Sequence, residues 1–142
     1  MKSYLVSNLN NKPFWLSEIS EVHNFFTQLN ISGALKNSIL QRINAELNFE
    51  INVSELQQLQ LALEEKIDSL VIDVNFNPFK ERLRRLYPLQ YGSNPFVWKG
   101  TTYYLYTKLN AIDSQISITE NFLTHVHEFI SQNKPMKYTF KN

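Results

Sequence analysis

Apolar residues along this chain recur mostly at spacings of three and four, interrupted by shorter stretches in which they alternate. The first spacing puts side chains on one stripe of a helix, the second on one face of a strand. Residues 3–9 (SYLVSNL) read as a short N-terminal strand closed by Asn10, Asn11 and Pro13. Ser17 stands as a candidate N-cap before Ile19, Val22, Phe25, Phe26 and Leu29, which predicts a helix of about 13 residues ended by Asn30 to Gly33. Leu35, Ile39, Leu40, Ile43 and Leu47 predict a second helix. Phe49, Ile51 and Val53 alternate across Glu50 and Asn52, as a brief strand or an extended linker would.

Ser54 to Gln57 fits a capping box, in which the serine hydroxyl accepts from an orphan N–H and Gln57 reaches back. Leu56, Leu59, Leu63, Ile67 and Leu70 then share one face for about five turns, with Gln58, Glu65 and Asp68 opposite. Lys66 falls where the next heptad needs an apolar residue, so the stripe reads as core packing rather than a coiled-coil seam. Val71, Ile72, Val74 and Phe76 predict a strand after that helix. Asn77-Pro78 restarts a short helix that buries Phe79, Leu83 and Leu86 and stops at Tyr87-Pro88.

From Asn94 to Leu109 the period changes to two. Phe96-Val97-Trp98 and Thr101 to Thr107 flank Lys99-Gly100, a hairpin pattern. With a two-residue turn, Phe96, Trp98, Tyr103 and Leu105 share one face, and Val97, Thr102, Tyr104, Tyr106 and Lys108 the other. Lysine is a poor first residue for a type I′ turn, which leaves a longer bulged turn at Gly100 as the alternative. Ser117 to Glu120 is a second capping box, ahead of a last helix carrying Phe122, Leu123, Val126, Phe129 and Ile130. Asn133 and Pro135 end it, and Met136 to Phe140 returns as a strand. Strands gather at the N-terminus and in the last third, so the expected class is α+β: several amphipathic helices packed on a small antiparallel sheet containing a hairpin in the C-terminal half. Residues 1–142 are expected to form one domain.

Composition narrows the function classes. The 142 residues (16.7 kDa) include no Cys, which excludes a thiol nucleophile, a thiolate metal site and a disulfide framework. Gly33, Gly92 and Gly100 are too far apart to build a phosphate-cradling loop. The first residues lack the apolar core and small-residue cleavage site of a signal peptide, and no apolar stretch is long enough to span a membrane; a soluble cytoplasmic protein without membrane contact is the expectation. Residues 1–75 hold five Lys/Arg against nine Asp/Glu, and residues 76–142 hold nine against four. Either these charges cover solvated faces of one globule, or the molecule has a basic side for an acidic or phosphate-bearing partner.

No motif names a reaction. His125 and His127 lie two apart and so about 200° apart on a helix, which prevents chelation of one ion; no metal, no cofactor and no catalytic residue is assigned. A hydrolase or transferase would need His23, His125 or His127 beside a carboxylate such as Asp73 or Asp113. A helix-turn-helix over Phe26 to Leu40 fails because Lys36 occupies a buried position and the second helix carries little positive charge. What stands out is the region 80–108. Lys80, Arg82, Arg84, Arg85, Tyr87, Tyr91, Trp98, Lys99, Tyr104 and Tyr106 combine guanidiniums with flat rings, the composition of protein-interface hot spots. The sequence therefore points to a non-enzymatic binding protein of bacterial or phage type whose partner is a protein, as for an immunity protein, antitoxin, inhibitor or assembly subunit. Nucleic-acid binding through the same residues is the alternative, and a homo-oligomer joined by oppositely charged halves is a further option.

Overall fold

A computed structural model of the protein describes residues 1–76, 94–105 and 111–142. The fold is α+β, with helices packed on a small antiparallel sheet and a hairpin in the C-terminal half, as the sequence pattern led us to expect. In chain order the described elements are β1 (Ser3–Ser7), β2 (Pro13–Glu18), α1 (Ile19–Thr27), α2 (Gly33–Asn44), β3 (Phe49–Ile51), α3 (Val53–Val71), β4 (Asn94–Trp98), β5 (Thr101–Leu105), α4 (Ala111–Ser131) and β6 (Met136–Lys141). The chain divides into two compact units. The first comprises Met1–Glu65 with Phe122–Asn142, the second Lys66–Asn121.

The first unit holds a four-stranded antiparallel sheet of order β2-β1-β6-β3. Alternation decides which face is buried: Tyr4 and Val6 of β1 and Met136 and Tyr138 of β6 are fully enclosed. Over them pack Val22 and Phe26 of α1, Ile39 and Ile43 of α2, and Leu56, Leu59 and Leu63 of α3. Aromatic edges interlock beside this core, with Phe122 meeting Phe14, Trp15 and Phe25 at centroid distances of 5.1 to 5.9 Å. The Tyr4 hydroxyl lies 2.8 Å from the Leu47 carbonyl and 3.2 Å from that of Arg42, so its one proton is shared between two acceptors where the chain leaves α2. That end is a Schellman turn: Glu46 takes φ 58°, its N–H bonds the Ile43 carbonyl, and the Leu47 N–H bonds that of Arg42. Leu47, expected on the helical stripe, therefore lies beyond the helix and is exposed.

Local signals misplaced several boundaries. The Asn10-Asn11 turn does close the first strand, but it leads directly into a second strand, β2, where no strand was expected. Asn8 Oδ1 accepts from the Asn10 and Lys12 N–H groups at 2.9 and 3.0 Å, and Asn11 takes φ 60°. Ser17 consequently sits in β2 opposite Tyr4 and donates to the Glu21 carboxylate instead of capping α1, which has nine residues and no side-chain cap. At α3 the box is set two residues earlier than Ser54: Asn52 Oδ1 accepts from the Glu55 N–H at 2.8 Å while Glu55 Oε1 accepts from the Asn52 N–H at 3.0 Å. Ser117 to Glu120 caps nothing. Ile116 continues the apolar stripe toward the N-terminus, so α4 starts at Ala111 and Thr119 is wholly buried within it. The far end of α4 is a second Schellman turn on Asn133 at φ 54°, with Asn133 N–H to the Ile130 carbonyl and Lys134 N–H to that of Phe129.

In the second unit Ile67, Leu70, Val71, Phe76, Phe96, Leu105 and Ile116 are buried. The strand expected over 71–76 does not form. Val71 ends α3, Asp73 accepts from the Asn75 N–H through Oδ1 and from the Phe76 N–H through its carbonyl, and Ile72 and Val74 are 70% and 78% exposed. Two tight turns consume the backbone groups a strand would have needed. The helix expected after Asn77-Pro78 lies outside the described residues.

Candidate functional site

Strands β4 and β5 pair in register Phe96↔Tyr103, Val97↔Thr102 and Trp98↔Thr101, and form a two-stranded sheet of their own. Only Lys99 and Gly100 turn the chain, at φ 47° and 84°. Positive φ at both positions is the signature of a type I′ turn, whose twist matches that of the strands. The bulged alternative is not used. The expected faces follow: Phe96 and Leu105 are buried, Trp98 and Tyr103 half-buried, while Val97 on the other side is 65% exposed with Thr102 and Tyr104 half-buried.

A lysine at φ 47° carries strain that glycine or asparagine would avoid. Two contacts offset it. Lys99 Nζ lies 2.8 Å from Asp68 Oδ2 of α3, and 5.7 Å from the centroid of the Trp98 ring. The other carboxylate oxygen, Oδ1, accepts from the Trp98 indole N–H at 2.8 Å. Those two donors hold the Asp68 carboxyl below its usual range, the lysine bond first and the indole bond second, against a smaller opposing effect of desolvation. Asp68 thus latches the hairpin tip to α3. Behind the latch Phe96 stacks on Trp98 at 6.1 Å and 13°, and Tyr103 leans on Phe96 and Phe76.

Of the ten residues singled out from sequence, the structure describes Trp98, Lys99 and Tyr104 and carries all three on this hairpin. Trp98 and Lys99 meet at its tip, and Tyr104 lies on the opposite face from Trp98. Lys80, Arg82, Arg84, Arg85, Tyr87, Tyr91 and Tyr106 lie outside the described residues. Asp68 was missed. On the sequence it is one more polar residue on the outer side of an amphipathic helix, 30 positions from the indole it binds.

The histidines are spread through the first unit. His125 stacks on Phe14 at 3.9 Å between centroids, its Nδ1 lies 3.6 Å from Glu128 Oε2, and that nitrogen is buried without a hydrogen-bond partner. His127 Nε2 is 3.7 Å from Glu64 Oε1, and His23 accompanies Thr27 one turn along α1. Two histidines therefore do stand beside carboxylates, each at ion-pairing rather than hydrogen-bonding distance. Among the described residues no three His, Asp or Glu side chains gather where they could hold one metal ion, and no helix is long and apolar enough to cross a membrane. No protein-family model, curated protein or solved structure matches the chain.

Proposed function

We propose that this is a non-enzymatic binding protein that docks a protein partner through the β4–β5 hairpin, as a cytoplasmic immunity, antitoxin, inhibitor or assembly factor of bacterial or phage origin would. The observation that carries the reading is the pinned tip. A hairpin held by an indole bond and an ion pair on Asp68 presents Val97 and Tyr104, on the face opposite Trp98, in a fixed arrangement, so little conformational entropy is lost on docking. A flat ring beside an exposed β-branched residue suits a protein surface. The described cation of the hairpin, Lys99, is already engaged by Asp68, which favours a protein over a phosphate backbone as the partner. Nucleic-acid binding through Arg82, Arg84 and Arg85 is the competing reading.

Photo-crosslinking in the native host separates them. A benzophenone side chain at Val97 should yield discrete protein adducts, and one at Leu61, equally exposed in the first unit, should not. The adducts should disappear when Tyr104→Ala is added and persist across a rise in salt. Equal adducts at both positions, or adducts removed by nuclease and by salt, would overturn the proposal.

A further inference from the structure

The first unit contains a half-open cleft of about 400 Å³ where the β1–β2 turn, β3 and the turn after α4 come together. Its apolar wall is Leu9, Phe129 and Pro135, and its polar rim carries Asn8, Asn11, Glu50, Lys134 and Lys137. We propose that this cleft binds a small monocarboxylate with a short aliphatic or aromatic body. The site is separate from the hairpin and does not depend on the docking reading above.

Three features select that ligand. The first is donor orientation: both accepting positions of Asn8 Oδ1 are occupied by the Asn10 and Lys12 N–H groups, so Asn8 can offer a ligand only its NH2. The second is charge. Glu50 and Lys137 stand directly opposite in the β3–β6 ladder, where neighbouring side chains on one face are about 5 Å apart at Cβ, but they form no ion pair. Together with Lys134 they leave the rim one net positive charge, and among the described residues neither the Lys137 ammonium nor that of Lys134 has a carboxylate partner. The Schellman turn fixes where the Lys134 side chain starts, because the Lys134 N–H is bonded to the Phe129 carbonyl at 3.0 Å. The third is the wall: Phe129 is 6% exposed and forms a fixed apolar floor beside that cation. A single anionic head on an apolar body meets all three, whereas a dianion beside Glu50 would exceed the single net positive charge of the rim.

The test is calorimetric titration of the full chain with hexanoate, hexanamide and acetate. Hexanoate should bind saturably and the isosteric amide at least about tenfold more weakly, the ratio expected for one charge-assisted hydrogen bond. Acetate should be weaker than hexanoate because it leaves the apolar wall uncovered. Lys134→Ala should weaken hexanoate by about tenfold or more, Lys141→Ala, which removes the same charge at the far end of β6, should leave it unchanged, and Glu50→Gln should tighten it. All three positions are exposed, so each variant should keep the wild-type melting temperature, read in the same samples. Equal binding of acid and amide, equal binding of acetate and hexanoate, equal effects of the two lysine variants, or no saturable binding of hexanoate would each overturn the proposal.

Discussion

Asp68→Ala removes the latch at the hairpin tip and nothing else, since the carboxylate's two oxygens serve Trp98 and Lys99 separately. A hydrogen bond to a charged acceptor contributes about 1.5–3 kcal/mol when desolvated. The Asp68 and Lys99 side chains are 43% and 63% exposed, so the ion pair falls in the surface range of roughly 0.2–1 kcal/mol and the indole bond is discounted as well. The sum is about 1–2 kcal/mol, confined to β4 and β5. Hydrogen exchange should therefore show protection of the hairpin amides falling roughly 5- to 30-fold, with β1 and β6 unchanged. Asp68→Asn should recover part of the loss, because an amide oxygen still accepts from the indole but no longer pairs with the ammonium. The pH dependence has a definite sign. A carboxyl held below its usual range contributes stability that is complete above about pH 3.9 and lost as pH falls through its own lower value. The difference between wild type and Asp68→Ala should thus be constant from neutrality down to about pH 5 and shrink below pH 4. Unchanged protection in the variant, or a difference that grows on acidification, refutes the latch.

The alkaline limb tests the sheet core. Tyr138 is fully buried, desolvation holds its hydroxyl well above the usual tyrosine range, and its partner among the described residues is the Met136 sulfur at 3.5 Å. A raised folded value means stability that is present below about pH 10 and lost as pH climbs toward that value, so Tyr138→Phe should be nearly neutral in urea melts at pH 7 and more stable than wild type above pH 10. Phe122→Ala empties the space that Phe14, Trp15 and Phe25 all face, and should cost about 3–5 kcal/mol in the same assay. At Glu46, φ 58° favours glycine while the carboxylate pairs with Lys2 Nζ at 2.6 Å, so Glu46→Ala should be less stable than Glu46→Gly by about 1 kcal/mol in thermal melts.

Periodicity carried most of the fold. The stripe Leu56, Leu59, Leu63, Ile67 and Leu70 is buried throughout, and the two faces of the hairpin fall as alternation requires. Caps and turns were harder because a capping pattern occurs by chance: Ser54-x-x-Gln57 and Asn52-x-x-Glu55 overlap, and the one used is set by where β3 releases the chain. At Ser117 the same pattern yields to burial, since Ile116 must stay inside. The candidate site was half legible. Trp98 and Lys99 announce themselves by type, but Asp68 has no local mark, and only tertiary packing brings it to them.

The same distinction governs charge. Along the chain the first 75 residues are acidic and the remainder basic, yet the fold regroups them: Lys134, Lys137 and Lys141 join the otherwise acidic first unit. That unit then holds seven Lys/Arg against eight Asp/Glu, and the second holds seven against five. A difference of nine charges between chain halves becomes one of three between compact units. Screening over about 8 Å at physiological salt leaves local arrangements, not halves, to attract a partner. At the hairpin the local arrangement is an ammonium already neutralised by Asp68 beside an indole whose N–H is already satisfied. What the face opposite Trp98 still offers is the ring of Tyr104 and an exposed valine, which is why the docking proposed for it should owe more to shape and burial than to net charge.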